Sequence, residues 1–321
     1  MNDKSSVSKQ LKMIEVACPA CGLDKFIEVG AGLDFEYHTS DETFHMVRCQ
    51  NCQVIYLNPR PHSSELDIIY PANYIPYHFE TKLGWITRIA RQLFLRGRVF
   101  LTSKLVQDHA RILDVGCGNG DLLLLLRQFG SSTWELAGLD ISDRAVERLR
   151  VHQIPLHQGR FEDLAPQIGQ WDLIWMKDVI EHLDNPRLLL ATAINALKPG
   201  GYLIMETPNS LGWDAQLFAR RYWGGWHFPR HWTVYDSKNI HAHLDKLGYH
   251  NIKITPTLSP NFWAQSYHHS LSEISSLKWV ANWFSAKNFI PMLIFSLVDF
   301  IQIQLTRQSS NMQVIAQKPL T

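Results

Sequence analysis

Ile112-Leu-Asp-Val-Gly-Cys-Gly-Asn-Gly120 is the stretch from which the fold is read. A short apolar strand, Arg111 to Val115, runs into a turn with glycine at every second position, and a strongly apolar helix, Asp121 to Phe129, opens directly from it. Glycine suits such a turn because the backbone must bend tightly and admit a ligand without Cβ interference. In an open parallel sheet, ligands bind beyond the carboxyl ends of the strands, where this turn would lie. Asp114, just before the turn, can accept from an ammonium group and would repel a pyrophosphate, which favours a ligand bearing an amino acid. The spacing is G-x-G-x-G, not the G-x-G-x-x-G of dinucleotide folds, and the loop alone supports only a nucleoside-binding fold.

Outward from the loop, strands and helices alternate. Leu136 to Asp140, Ile154 to His157, Trp171 to Met176 and Tyr202 to Glu206 read as strands, and Ala145 to Val151 and Arg187 to Leu197 as helices, the latter ended by Lys198-Pro-Gly-Gly201. That alternation predicts a parallel sheet with helices on both faces, an α/β fold. Asn239 to Leu247 reads as a helix, Asn251 to Pro256 and Met312 to Gln317 as strands, and the apolar region 261–305 as helices. A further helix is expected from about Leu83 to His109. The acid of Gly138-Leu-Asp140, roughly 20 residues past the turn, suits ribose hydroxyls. Gly159-Arg-Phe-Glu-Asp163 can flank an adenine, through Phe161 or the backbone.

The ordered run ILDVGCGNGDLL, GLDIS, QGRFEDL, WDLIWMKDVIEHL and LKPGGYLIMETPN, over residues 111–209, resembles class I S-adenosylmethionine-dependent methyltransferases. It is similar in particular to bacterial small-molecule members, including ubiquinone-biosynthetic O-methyltransferases, with "EH" after the fourth strand and "TPN" after the fifth. The resemblance implies a Rossmann-like methyltransferase sheet. It implies that Asp114, Gly116 and Gly118 surround the methionine part of S-adenosylmethionine and Asp140 the ribose; Cys117, counted with this cofactor-binding loop, reads as a small buried filler inside the turn. Ile141, Arg160 and Phe161 would border the adenine, with Lys177 and Asp178 at the cofactor edge. Arg160 stands where relatives often carry an acid that contacts the adenine amino group. A nicotinamide enzyme, or a Rossmann-like fold without cofactor, is the competing reading of the core.

Four of the five cysteines form two C-x-x-C pairs, Cys18-Pro-Ala-Cys21 and Cys49-Gln-Asn-Cys52. In a chain whose polar start (MNDKSSVSKQLKM) lacks the apolar core of a secretory signal, such pairs read as a metal site, four thiolates on one structural zinc. A redox or nucleic-acid-reading ribbon is the alternative. Similar zinc-ribbon-like units precede methyltransferases of this type, followed by a segment like Tyr56-Leu-Asn-Pro-Arg-Pro61 and a tyrosine-rich connector that helps close the cofactor site. Tyr70, Tyr74 and Tyr77 are the corresponding lid candidates.

Methyl transfer needs an in-line nucleophile and removal of its proton. His182, four residues after Asp178 on the same face if helical, is a candidate base. The counterparts of Asp178, Glu181 and His182 in the similar O-methyltransferases imply an alternative, a cradle for a divalent metal. A second cluster, Arg220-Arg-Tyr-Trp-Gly-Gly-Trp-His227-Phe-Pro-Arg-His231-Trp-Thr-Val-Tyr235, offers His227 or His231 as base. Trp223, Trp226 and Trp232 would then form an apolar wall for the acceptor.

The expected organisation is a flexible start (1–15), a zinc-ribbon-like unit (16–60), a connector and helix (61–110) and a methyltransferase domain (111–321). That domain has its core at 111–209, an aromatic and helical acceptor cap at about 210–305 and a last strand at about 312–317. With 321 residues, 45% hydrophobic, and a formal charge of +1, the chain is built for a sizeable core and carries no electrostatic footprint for nucleic acid. It reads as a cytoplasmic enzyme acting by methylation on a small molecule: a metabolite, glycan precursor or quinone-like lipid. A non-catalytic protein- or nucleic-acid-binding module is the contrasting class. Residues 278–301 carry more large apolar groups than a covering helix needs, for a peripheral membrane contact, a homodimer interface or a greasy pocket wall. The run Phe289 to Val298 is shorter than the ~20 residues of a spanning helix.

Overall fold

The computed structural model describes residues 10–71, 96–143, 145–168, 170–285 and 288–320. Tyr74, Tyr77 and the start of the helix expected from Leu83 lie outside these; residues 96–105 are helical.

In chain order the strands are β1 (Met13–Ile14), β2 (Phe26–Gly32), β3 (Phe44–Cys49), β4 (Ile55–Leu57) and β5 (Arg60–Pro61). They continue with β6 (Arg111–Val115), β7 (Glu135–Asp140), β8 (Leu156–Gln158), β9 (Trp171–Lys177), β10 (Leu197–Pro208), β11 (Thr233–Val234), β12 (His250–Thr257) and β13 (Asn311–Gln317). Seven form one sheet in the order β12-β13-β10-β9-β6-β7-β8. Its order reverses at β6: the chain builds outward to β8, then returns to β9 beside β6, which opens a crevice at their carboxyl ends. β6 through β10 pair in parallel. The expectation of a parallel sheet is corrected at one edge, where β13 runs antiparallel between β10 and β12.

Both faces of this sheet are dry, which explains strands of near-continuous apolar residues. Side chains alternate across a strand, so Ile112, Leu173, Trp175 and Ile204 enter one core with Leu123 and Leu126 of the helix Asp121–Phe129. Their neighbours Leu113, Ile174, Leu203 and Met205 enter another with Leu189, Leu190 and Ala193 of the helix Pro186–Ala196. β10 begins at Leu197, earlier than expected, because the chain passes Gly200-Gly201 through a register shift and stays paired with β9.

The four-stranded second sheet has the order β11-β4-β3-β2. It crosses the boundary expected at residue 60, since β11 comes from the aromatic cluster and pairs Thr233 with Tyr56 and Val234 with Ile55. Trp223, Trp226 and Trp232 are buried in the core beneath it, against Phe44, Met46, Ile55 and Leu57. Their indole N–H groups donate to Asp214 (2.9 Å), the Ala219 carbonyl (2.8 Å) and the Pro229 carbonyl (3.0 Å). The expected tryptophan wall is therefore corrected: these rings pack the cap onto the cysteine unit.

The apolar tail is one 18-residue helix, Phe289–Thr306, with mean hydropathy 1.7. By length and composition it could cross a membrane, which corrects the shorter run read from the sequence. Its polarity is inverted: Asp299 and Gln302 are buried, while Phe289, Ile290, Leu293, Ile294, Leu297, Phe300, Ile301 and Leu305 are exposed.

Candidate active site

At the carboxyl end of β6, Gly116, Gly118 and Gly120 all adopt positive φ (68°, 55° and 77°), a conformation that favours glycine. At Gly118 an added Cβ would meet no atom of the described residues within 4 Å, so among them the space above it is open. Asp140 closes the crevice: its Oδ2 accepts from the Gly118 N–H (2.9 Å), and its Oδ1 from the Ser142 N–H and hydroxyl (2.9 and 3.0 Å). Ile141 is exposed at the mouth.

Asp114 lies buried beneath the loop, and burial pushes its carboxyl up to about 7, aided by Asp140 and Asp121 and opposed by Arg98 and Lys177. Arg98 is held by Glu206, its Nε and Nη2 donating to the two carboxylate oxygens at 2.8 and 2.5 Å. A buried acid with an open cradle beside it suits a cationic ligand group, whose charge would restore the carboxylate.

The structure also places the other residues expected at the cofactor. Phe161 opens the helix Phe161–Ile168 and is buried in the core with Val115, Leu139 and Ile180. Arg160 is half-exposed and pairs with Asp184 (2.9 Å). Cys117 is buried and its Sγ would meet a Cβ on Gly138 at 2.9 Å, a small filler between strand and loop. Lys177 and Asp178 pair with each other at the surface, Asp178 with φ 52°.

Beyond β9 the short 3-10 turn Ile180–His182 carries the next group of candidate side chains. It abuts the glycine loop, since a Cβ on Gly116 would meet Val179 at 2.5 Å. The structure brings His182, His227 and His231 together: ring centroids are 4.7 Å apart for His182 and His231, 5.0 Å for His227 and His231, and 6.3 Å for His182 and His227. The Nδ1 of His182 lies 3.0 Å from the Arg230 carbonyl and that of His231 2.8 Å from the Gly225 carbonyl. Carbonyls only accept, so both rings carry their proton on Nδ1 and keep Nε2 as the lone pair. Burial is the first cause that keeps both neutral, with His182 pushed down to about 4. The Tyr70 hydroxyl also reaches the His182 Nδ1, at 3.0 Å.

Glu181 is buried, accepts from the Thr207 hydroxyl (3.0 Å) through Oε2, and finds no partner for Oε1 among the described residues. Burial and nearby Asp178 push its carboxyl up to about 8. Donor atoms of Glu181, His182 and His231 lie within 4.8 Å of one another. The metal cradle expected from Asp178, Glu181 and His182 is corrected in one member, because exposed Asp178 is outside this group and His231 is inside it. An orphaned acid oxygen and two neutral imidazoles fit a divalent ion.

Sequence reading missed the loop after β2. Asp34 forms a fully buried pair with Arg230 (3.1 and 2.9 Å), and Glu36 lies 2.5 Å from the His227 Nδ1. The one local signal was Gly30-Ala-Gly32, small residues that let the backbone approach the cap: a Cβ on Gly30 would meet the Ala219 carbonyl oxygen at 2.2 Å.

The cysteine pairs form two matching knuckles. In each, the residue after the second cysteine (Gly22, Gln53) has positive φ and donates its N–H to the first cysteine's carbonyl (2.8 and 3.1 Å). The Sγ atoms of Cys18 and Cys52, and of Cys21 and Cys49, are 3.5 Å apart, and all four lie within 4.8 Å. Tetrahedral Zn–S bonds of about 2.3 Å separate sulfurs by roughly 3.8 Å, so the cluster fits zinc.

The chain is similar to several known proteins. Two curated relatives are ubiquinone biosynthesis O-methyltransferases: that of Xanthomonas axonopodis pv. citri is 30% identical over 117 residues, 34% of this chain and 48% of the relative. That of Bordetella avium is 28% identical over 135 residues, 40% of this chain and 49% of the relative. The chain thus spans about half the length of the curated relatives it matches. Among solved structures, a phosphoethanolamine N-methyltransferase 2 of Haemonchus contortus in complex with S-adenosyl-L-methionine has TM-score 0.47 at 17% identity, covering 92% of this chain and 68% of that one. A SAM-dependent methyltransferase from Archaeoglobus fulgidus has TM-score 0.46 at 18% identity, covering 71% and 94%. The model of the methyltransferase domain family matches residues 86–254, more than half of the sequence, and the chain belongs to that family.

Proposed function

We propose that the protein transfers the methyl group of S-adenosylmethionine to an oxygen of a small acceptor of phenolic or quinone-like type. The observation that carries this reading is the open cradle over Gly118, flanked by Asp114 and Asp140 and abutted by a cluster of neutral imidazoles. Asp114 would hold the ammonium, Asp140 the ribose hydroxyls, and exposed Ile141 the adenine, with Lys177 and Asp178 at the crevice edge. When bound, S-adenosylmethionine supplies a methyl group whose former sulfur keeps the bonding electron pair.

The protein's own task is to hold the acceptor oxygen in line and take its proton. His182, His227 and His231 are the candidates; burial keeps His182 and His231 neutral, so either can accept without first losing a proton. Glu181, His182 and His231 are the residues that would hold a divalent ion, which when bound would polarise the acceptor oxygen. Tyr70, bonded to His182, would border this pocket. Zinc on Cys18, Cys21, Cys49 and Cys52 has a structural role in this reading, and reduced thiols fit the cytoplasm. Calorimetric titration of the purified protein with S-adenosylmethionine should give a saturable isotherm, and metal analysis should return one zinc per chain. No binding would remove the methyl-transfer reading, and no zinc the structural one.

The exposed apolar face of the helix Phe289–Thr306 supports a peripheral membrane contact. Trp279, Trp283 and Lys278 stand before the helix in sequence and Arg307 directly after it, the aromatic and basic flanks of interfacial helices. Buried Asp299, accepting from the Ser259 N–H (2.6 Å) and the Trp263 indole (2.9 Å), ties the inner side to the enzyme. A surface-lying arrangement keeps those bonds and a spanning one breaks them. Vesicles containing anionic lipid should co-sediment the protein; recovery in the supernatant as a dimer would assign the face to a second copy instead.

A further inference from the structure

We infer that Glu36, from the cysteine-bearing unit, is the positioning residue that fixes the tautomer and aim of His227 in the acceptor pocket. The inference rests on the proposed methyl transfer for its consequence and on geometry for its substance.

Glu36 Oε1 and the His227 Nδ1 are 2.5 Å apart, in a site where the two side chains are only 12% and 11% exposed. The other carboxylate oxygen accepts from the Gln265 amide at 3.3 Å. A carboxylate on Nδ1 holds the proton there and leaves Nε2 as the lone pair, the arrangement that orients an imidazole for accepting a proton. His227 adopts φ 40°, a left-handed backbone that a non-glycine residue holds only where its surroundings fix it.

Those surroundings come from one four-residue stretch. Asp34 is clamped on Arg230, and Phe35 stacks on His269 with centroids 5.0 Å apart. Tyr37 lies edge-on to His227 (6.3 Å) and beneath the Arg230 guanidinium (4.3 Å). Asp34 also accepts from the Tyr37 and Thr39 N–H groups, which pins the loop on both sides of Glu36. So the unit that carries the four cysteines supplies a wall of the pocket and aims one of its three histidines. The role is one of orientation: Glu36 touches no reacting atom.

The test uses the full-length, zinc-loaded protein labelled with nitrogen-15, with His227 assigned by its loss in His227→Asn. Long-range proton–nitrogen spectra should show His227 as the Nδ1–H tautomer in the wild type and in Glu36→Gln, whose amide oxygen can still accept. In Glu36→Leu the Nε2–H form should dominate. With catechol as acceptor, kcat should fall about 10²-fold in Glu36→Leu with KM little changed, and be largely retained in Glu36→Gln. An unchanged tautomer in Glu36→Leu overturns the inference, as does a changed tautomer with unchanged kcat. Should the wild type not methylate at all, the spectra alone decide the Glu36–His227 relation, and the failure belongs to the methyl-transfer reading.

Discussion

In the cofactor crevice, the bond from Gly118 to Asp140 joins residues 22 apart in sequence; in the histidine wall, Glu36 and His227 are 191 apart and Asp34 and Arg230 196 apart. The two regions share strand ends and touch at Val179, yet they are held by different means. The crevice is held by backbone conformation: three glycines with positive φ and a carboxylate that accepts from a backbone N–H. The wall is held by buried side-chain charges that meet only when two distant segments pack. Damage should therefore separate, into lost binding on one side and lost stability on the other.

The largest effect is expected at the buried pair. Removing one member strands the other charge away from water, which costs about 3–5 kcal/mol. Asp34→Ala should lower the free energy of urea unfolding by that amount. If it changes stability by less than about 1 kcal/mol, the wall does not depend on this pair and the contrast fails.

The crevice should respond in affinity. If Asp114 holds the ammonium as proposed, Asp114→Asn should cost about 1.5–3 kcal/mol, or roughly 10- to 100-fold in the dissociation constant. The pH dependence sharpens this. Burial first, then Asp140 and Asp121, lifts the Asp114 carboxyl to about 7, so its ionised form is lost as pH falls through that value. Affinity for S-adenosylmethionine should be flat above pH 7 and weaken up to tenfold per unit below it. The Asn variant should show no such slope, and a wild-type profile without one would free Asp114 of the ammonium contact.

The same division explains what could be read from the sequence. The strands around the loop, the helix Asp121–Phe129, Asp140 and the order of the later motifs are local, each set by apolar periodicity or turn chemistry within about 20 residues. The three histidines were identifiable because two signals, one after β9 and one in the aromatic cluster, each put imidazoles where regular structure ends. What held them was not identifiable. Glu36 is an ordinary acid in an ordinary hairpin loop until the cap folds over it, and nothing within its own stretch names a partner 191 residues away. The tryptophans misled for a related reason: large aromatics in a glycine-rich segment suit a binding wall, and only the tertiary structure shows three indole N–H groups already engaged. The burial of Phe161 is set by the helix it starts.

The smallest effects come from making the same change in both regions. Gly30→Ala places a methyl 2.2 Å from the Ala219 carbonyl oxygen, a backbone atom that cannot swing aside. Overpacking of this kind costs about 1–3 kcal/mol, and it should leave affinity for S-adenosylmethionine untouched because the crevice lies on the other side of Val179. Gly118→Ala meets nothing among the described residues, so its expected cost to folding is that of a left-handed alanine, about 1–2 kcal/mol. Its methyl group, however, enters the space left for the cofactor, so binding should weaken more than folding. Thermal unfolding and calorimetric titration of the two variants together give four numbers. If Gly118→Ala binds as the wild type does, the space above the loop is not the cofactor's, and the crevice loses its assignment even though its fold is intact.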